Sequence, residues 1–160
     1  MAGIHSPAES RDLDTAQCNL DSVFEHQQTV SWGDCDPAQI AYTANIPAWG
    51  LLAIEAWYKS CLQANWFELN LHYGIGTPFV AMGFQFKSPV TPLAPLLIRV
   101  LVEKLGNSSL VHRVEGRQSG IICFSGETTA AFVSATDMKP MPIPVNMRRR
   151  IQHYLSVQGK

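Results

Sequence analysis

Residues 45–63 read NIPAWGLLAIEAWYKSCLQ, and this stretch decides the fold. Its apolar residues recur at helical spacing, which predicts a helix over about 45–63 with Asn45 as N-cap and Pro47 in the first turn. The other faces are apolar too, and Glu55 and Lys59 are the only charged residues. A helix that is apolar nearly all round is usually buried by other elements. We therefore expect a sheet to cover this helix.

The segments on either side of the helix alternate apolar and polar residues, which predicts β-strands. One strand is predicted before the helix and four after it, at 23–32, 80–87, 96–105, 110–117 and 121–135. We expect the aromatic segment 66–73 to be a loop and 145–157 to form a short C-terminal helix. Sequential strands joined by short turns form an antiparallel meander. The expected class is α+β, with a long central helix wrapped by a curled antiparallel sheet of about five strands.

Length and composition fit one domain. The chain has 160 residues, of which 46% are hydrophobic and 16% charged, with a formal net charge of −1. This balance argues against a disordered chain and against general attraction to nucleic acid or anionic membrane. The low charged share points to hidden surface of the kind that an oligomer has. We expect a flexible N-terminal leader at 1–20 and a single domain at 21–160.

The four cysteines and the hydropathy pattern indicate which cellular compartment the protein occupies. No CxxC pair occurs, so we expect no metal site, and no secretory signal is visible at the N-terminus. No apolar run approaches the ~20 residues that span a bilayer. We expect a cytoplasmic protein with reduced thiols and with no membrane or nucleic-acid partner.

A motif lies between the first strand and the helix, where residues 32–45 read WGDCDPAQIAYTAN. Together with the order of elements, it resembles the hotdog-fold acyl-CoA thioesterases, and the 4-hydroxybenzoyl-CoA thioesterase branch in particular. The resemblance covers about residues 24–135. The positions that carry it are Asp36-Pro37, Ala38, Ile40-Ala41, Tyr42 and Asn45, with a weaker match at Gly76-Thr77-Pro78-Phe79-Val80.

Thioester hydrolysis needs a carboxylate near the carbonyl carbon and donors for the developing oxyanion. Asp36 is the candidate carboxylate, as nucleophile or general base, because it precedes a helix whose first N–H groups are unpaired. The alternative for Asp36 is an Asp-Pro turn that ends the strand. The resemblance implies that the backbone N–H of Thr43 polarises the thioester carbonyl and that Asn45 helps to shape this pocket. Asp34 is expected to be a turn residue and Cys35 a packing residue.

The resemblance further implies a dimer or dimer of dimers, with active sites at subunit interfaces and no cofactor beyond the coenzyme A of the substrate. Leu51 stands where the 4-hydroxybenzoyl branch places a carboxylate that reads a ring hydroxyl, which favours a plain aromatic or medium-chain acyl group. The candidate acyl-pocket residues are Tyr42, Trp49, Leu51, Thr77 and Phe79. The candidates for binding the coenzyme phosphates, in a hairpin less basic than in that branch, are Lys104, Ser108 and Ser109. A thioester of protein-bound phosphopantetheine is the alternative substrate.

Two other functions stay open: a non-catalytic hotdog protein that binds acyl thioesters, and a hotdog dehydratase, for which His72 is the histidine to test. His112 shares one strand face with Leu110 and Val114, so we expect it to be a satisfied packing residue. The run Arg148 to Arg150 is expected to be a solvated face or a partner contact. No aromatic residues interleave with it as nucleic-acid binding would require.

Overall fold

One helix lies against one face of a five-stranded antiparallel sheet in the computed structural model, which describes residues 20–159. The strands are β1 (Phe24–Gln28), β2 (Ile75–Gly76), β3 (Phe79–Phe86), β4 (Leu96–Leu105), β5 (Ser109–Gln118), β6 (Ile121–Ala131) and β7 (Val133–Ser134). The sheet has the order β1-β4-β5-β6-β3, and β2 pairs with β7 in a separate two-stranded ladder. The predicted α+β class is confirmed.

The central helix α1 (Asn45–Trp57) continues into one π-helical turn, Tyr58–Leu62, and ends at Gln63 with a left-handed φ of 62°. This agrees with the predicted helix, although its last turn is wider than an α-helical turn. Helix and sheet are in close contact at Gly50, where an added Cβ would lie 3.0 Å from the ring of Phe84. A larger residue at this position would push the helix away from β3.

The face of the sheet that α1 covers is built from alternate residues of the central strands. The buried positions on β4 and β5 are Leu96, Ile98, Val100, Val102, Leu110, His112, Val114, Gly116 and Gln118. The opposite face carries ion pairs such as Arg99 with Glu25 and Arg113 with Glu103, which join neighbouring strands. The period-two pattern therefore separates core from solvent as the sequence predicts.

The predicted loop at 66–73 is wrong, because this segment is the helix α2 (Trp66–Tyr73). Its start is fixed by a capping box: Asn65 Oδ1 accepts from Glu68 N at 2.8 Å, and Asn65 N donates to Glu68 Oε2 at 2.9 Å. Its end is Gly74, which adopts the left-handed conformation. These signals were in the sequence, but the aromatic composition of the segment obscured them.

Two predicted strands are shorter than expected. The first ends at Gln28, because Trp32–Asp34 forms a turn of 3-10 helix. The last ends at Ala131, after which Val133–Ser134 leaves the main sheet to pair with β2. The predicted leader at 1–20 lies outside the described residues, except for Leu20, which packs against the core.

The C-terminal helix α3 (Val145–Gln158) is present as predicted and closes one margin of the sheet. The Tyr154 hydroxyl accepts from Phe24 N at 2.9 Å and donates to the carbonyl of Val100. Beyond the end of β1, the Gln158 amide bonds both the N–H of Val102, at 2.9 Å, and its carbonyl, at 2.6 Å. A side chain thus replaces the missing neighbouring strand along β4.

Candidate active site

The segment between β1 and α1 forms a closed loop. Tyr42 N donates to the carbonyl of Asp34 at 2.8 Å, and Asp36 N donates to the carbonyl of Ile40 at 3.0 Å. A third bond, from Ala41 N to the carbonyl of Val90 at 2.8 Å, ties the loop to the connection between β3 and β4. The position of Asp36 is therefore set by backbone bonds on both sides of it.

The carboxylate of Asp36 is half-buried and only partly engaged. Its Oδ1 accepts from Ala38 N at 2.8 Å, and its carbonyl accepts from Gln39 N at 2.9 Å, so an Asp-Pro turn is present. Within residues 20–159, Oδ2 has no hydrogen-bond partner. The turn orients the carboxyl group through one oxygen and leaves the other free.

Asp34 is the turn residue that the sequence predicts. Its Oδ2 accepts from the backbone N and the Oγ of Ser31, both at 2.7 Å. The hydroxyl and the N–H of Ser31 hold the pKa of Asp34 below its usual value. Both hydrogen-bond partners of the Asp34 carboxylate belong to Ser31, three residues earlier in the chain. This side chain therefore fixes the start of the loop.

Asn45 is not the N-cap that we expected. It is the first residue of α1, it follows Ala44, and its side chain caps no helical N–H. Instead, Asn45 Nδ2 donates to the carbonyl of Asp34 at 3.0 Å. The amide holds the beginning of the loop against the beginning of the helix, and this long-range bond outweighs the local capping preference.

Thr43 lies where the loop enters α1 and is exposed. Its carbonyl accepts from Ile46 N at 3.2 Å, whereas its own N–H has no partner among residues 20–159. N–H groups at the start of a helix are unpaired and carry partial positive charge. Such a group is suited to accept a developing oxyanion as its hydrogen-bond partner.

A pocket of about 240 Å³ opens beside Thr43. It lies between the start of α1, the segment after β3 and the start of β6, and most of its lining is apolar. The lining residues are Ile40, Ala41, Thr43, Ile46, Phe86, Lys87, Ser88, Pro89, Val90, Cys123 and Phe124. Sequence reasoning did not find the contribution of residues 86–90, because they enter the site only through the tertiary fold.

None of the five candidate acyl-pocket residues lines this pocket. They occupy different positions in the fold. Trp49 is in the core, Leu51 is half-buried, and Tyr42 is 56% exposed. Phe79 packs edge-on against Trp66, with ring centroids 5.4 Å apart, at the beginning of β3. Thr77 lies beside the hydroxyl of Tyr58 in the same region.

The β4–β5 hairpin is held by the C-terminal helix. Arg148 donates to the carbonyls of Gly106, at 2.7 Å, and Asn107, at 3.0 Å, while Lys104 is exposed nearby on β4. Arg150 is buried and donates to the carbonyl of Leu62 at 2.7 Å. The expectation of a solvated arginine face therefore holds only for Arg149, which is exposed.

Other candidate features of the sequence lie away from the pocket. His72 is exposed in the last turn of α2 and does not line the pocket. In residues 20–159, no three His, Cys, Asp or Glu side chains are placed to hold a metal ion. No helix of this part of the chain is long and apolar enough to cross a membrane.

The fold and the loop geometry define a thioesterase-like protein. The profile of the thioesterase-like superfamily matches residues 30–151, and the chain belongs to this family. The predicted hotdog resemblance and fold are confirmed. A thioesterase-superfamily protein from Jannaschia sp. CCS1 has 42% sequence identity and a TM-score of 0.80, with 85% of this chain and 95% of that chain covered.

Two further relatives have named substrates. The 4-hydroxybenzoyl-CoA thioesterase of Pseudomonas sp. (strain CBS-3) is 30% identical over 88 residues, which are 54% of this chain and 62% of that protein. The match thus spans less than two thirds of that relative's length. A structure described as gentisyl-coenzyme A thioesterase has 25% identity and a TM-score of 0.69, over 78% of this chain and 99% of that one.

Proposed function

We propose that this protein hydrolyses an acyl-CoA, or a related acyl thioester, to the free acid and the thiol, with Asp36 as nucleophile or general base. One observation carries the proposal. The Asp36 carboxylate is oriented through Oδ1 by Ala38 N–H, in a loop that ends at the N–H of Thr43. Within residues 20–159, neither Asp36 Oδ2 nor this N–H has a hydrogen-bond partner. Carboxylate and oxyanion donor are the two groups that the reaction needs.

Two routes are open to this geometry. In the first, Asp36 attacks the carbonyl carbon, the C–S bond breaks and the thiolate leaves, and water then hydrolyses the mixed anhydride. In the second, Asp36 takes a proton from a water molecule that attacks the same carbon, and the C–S bond breaks to release the thiolate and the free acid. In both routes the N–H of Thr43 donates to the carbonyl oxygen as negative charge develops on it. Coenzyme A is part of the substrate, so the mechanism uses no separate cofactor.

The acyl group that we propose is aromatic or medium-chain. The pocket beside Thr43 is largely apolar, although Leu51 does not line it. The two relatives with named substrates act, by their names, on aromatic acyl-CoA thioesters. A thioester on protein-bound phosphopantetheine would have the same reacting centre, and it stays the alternative substrate.

The proposed site for the coenzyme phosphates is the β4–β5 hairpin, with Lys104, Ser108 and Ser109. The sequence alone suggested too little positive charge there. Arg148 adds a guanidinium to the same hairpin, although two of its hydrogen bonds go to backbone carbonyls. Guanidinium and ammonium groups are the usual partners of phosphate.

We propose that the protein is a homo-oligomer, a dimer or a dimer of dimers, in which a second copy pairs along β3. This strand has β6 on one side only, so its other edge is open. Met82 and Phe86 share a strand face with Phe84 but are 51% and 54% exposed, and Val80, at the register shift between Phe79 and Ala81, is 65% exposed. An open edge with uncovered apolar side chains favours pairing with another chain. Pairing would also explain why Thr77 and Phe79 lie away from the pocket of their own chain.

We place the protein in the cytoplasm as part of the same proposal. Among residues 20–159, Cys35 and Cys123 are free thiols. Free thiols persist in reducing compartments such as the cytosol.

The test is a thiol-release assay of the full chain on benzoyl-, hydroxybenzoyl- and medium-chain acyl-CoA. Asp36→Asn should lower kcat by about 10²- to 10⁴-fold, because a general base or nucleophile contributes on this scale. Asp137→Asn, at an exposed carboxylate between β7 and α3, is the matched control and should keep full activity. Full activity of Asp36→Asn would refute the assignment. A wild-type protein that binds but hydrolyses none of these thioesters would favour the binding module, and His72-dependent hydration of enoyl-CoA would favour the dehydratase.

A further inference from the structure

The middle of β5 contains an ionisable side chain without a partner. His112 is completely buried, and neither Nδ1 nor Nε2 has a hydrogen-bond partner in residues 20–159. The expected satisfied packing role is therefore wrong. Burial lowers the pKa of His112 to about 3, so the imidazole is neutral at physiological pH and offers one donor and one acceptor.

The groups around His112 are polar, and two of them are unpartnered as well. The rings of Trp57 and His112 are nearly perpendicular, with centroids 4.6 Å apart, and the Tyr58 ring centroid lies 5.7 Å from that of His112. Thr128 is directly opposite His112 in the β5–β6 ladder, and both residues are buried on the face toward α1. Trp57 Nε1 and Thr128 Oγ1 have no hydrogen-bond partner among the described residues, whereas the Tyr58 hydroxyl lies beside Thr77. We call these four residues the His112 cluster.

Such a cluster is too costly to leave unpaired. Each buried donor or acceptor without a partner destabilises the folded state, and native proteins contain few of them. A water molecule with two to four polar neighbours removes this cost. Directly opposed residues of an antiparallel pair have Cβ atoms about 5 Å apart, and one water bridges two groups up to about 6 Å apart. His112 and Thr128 are such a directly opposed pair, and both are buried.

We propose that the core contains an internal water-binding site, in which an ordered water bridges the imidazole of His112 and the hydroxyl of Thr128. The competing arrangement is dry, with a His112 N–H donating to the face of the Trp57 ring. That arrangement satisfies one ring nitrogen only and leaves the Thr128 hydroxyl unpaired.

The water site is separate from the proposed active site. Trp57 is twelve residues beyond Asn45 on the same helix, which corresponds to about 18 Å at 1.5 Å per residue. The two ends of α1 therefore face different environments: the first faces the loop that holds Asp36, and the last faces the His112 cluster. The proposal does not depend on the catalytic role of Asp36.

The direct test is a crystal structure of the full chain at a resolution that shows ordered water. We expect density about 2.7–3.2 Å from a His112 ring nitrogen and from Thr128 Oγ1. Density should be absent from this place in Thr128→Val and present in Thr129→Val, which makes the same change one residue along β6. A wild-type cluster without water, with the imidazole edge directed at the indole face, would overturn the proposal.

A thermal-unfolding comparison distinguishes the two arrangements by the sign of the effect. If water is bound, Thr128→Val removes one of its partners, and Tm should fall by about 2–4 °C relative to Thr129→Val. If the cluster is dry, the change removes an unsatisfied hydroxyl, and Tm should stay level or rise. A rise in Tm for Thr128→Val would contradict the water site.

Discussion

Asn45 Nδ2 and the carbonyl oxygen of Asp34 lie 3.0 Å apart and join the first residue of α1 to the first residue of the loop that holds Asp36. The same carbonyl also accepts the N–H of Tyr42. One oxygen atom therefore fixes both the closure of the loop and its attachment to the helix. Thr43 lies between Tyr42 and Asn45, which both bond this oxygen. The two bonds therefore set the direction of the Thr43 N–H, the proposed oxyanion donor.

Asn45→Ala should reduce kcat more than it reduces stability. The lost hydrogen bond costs about 1 kcal/mol, or about 2–4 °C in Tm, whereas small displacements of reacting groups can cost up to ~10²-fold in rate. Thioester hydrolysis and thermal unfolding are measured on the same preparation. Asn70→Ala, at an exposed position of α2, is the control and should change neither. Unchanged kcat in Asn45→Ala would argue against a positioning role.

Arg148→Ala should weaken the hairpin that is proposed to bind the coenzyme. The substitution removes the two hydrogen bonds to Gly106 and Asn107, together with a positive charge. We expect a higher KM for acyl-CoA with a smaller change in kcat, and a KM that depends less on salt. Arg149→Ala removes an exposed charge of the same helix and serves as the control. Equal effects of the two substitutions would indicate general electrostatics instead of a specific site.

Met82→Lys should disrupt the proposed pairing along β3. Met82 is 51% exposed on the open edge strand, and a charge buried between two such strands is unfavourable. Light scattering should show monomers, and thioesterase activity should fall with the loss of the dimer. Leu93→Lys, at a residue that is 90% exposed in the β3–β4 connection, should remain oligomeric. A Met82→Lys protein that stays oligomeric would place the interface elsewhere.

His112 should make the protein less stable in acid. Below its ordinary pKa of 6.5 the unfolded chain binds a proton at this residue, whereas the folded chain, with a pKa of about 3, does not. The free energy of unfolding should therefore fall as pH decreases from 6.5 toward 4, with a slope that approaches ~1.4 kcal/mol per pH unit. Asp34 and Asp137, whose pKa values are lowered from 3.8, lose their contributions mainly below this window.

Urea unfolding at several pH values measures this slope. His112→Gln should show a flatter profile between pH 6.5 and about 4, since it has no group that titrates there. His153→Gln, at an exposed position of α3, should keep the wild-type slope. Parallel profiles for wild type and His112→Gln would mean that another group dominates the acid response.

The sequence predicted those parts of the fold that local patterns determine. The apolar helix at 45–63, the alternating strands and the Asp36-Pro37 motif each reflect neighbouring residues, and each appears in the structure. The helix α2 was missed although Asn65, Glu68 and Gly74 carried its cap signals. There the aromatic residues were given more weight than the capping positions.

The remaining differences depend on contacts between distant parts of the chain. Arg148 and Arg150 bond carbonyls about 40 and 90 positions earlier, which the composition of a terminal helix does not reveal. Asn45 and His112 show the same limit. For both residues, the amino-acid type suggested one role, but contacts with distant parts of the chain determine the role that the structure shows. The Asp36-Pro37 motif is visible in the sequence, and the catalytic role of Asp36 stays a proposal. Residues 86–90 line the pocket beside Thr43 only because the chain folds.

Helix α3 covers the edge of the sheet at β1 and β4, opposite to β3. This coverage limits how large an assembly can become. Gln158 occupies both backbone groups of Val102, and β1 is a short strand with polar residues such as Glu25 and Gln28. Short, charged and covered edges resist the addition of further strands. If two copies pair through β3, the open edge strand of each sheet is covered by the other copy. The joined sheet then ends in two blunted margins, so association stops at a finite particle and does not continue into a fibre.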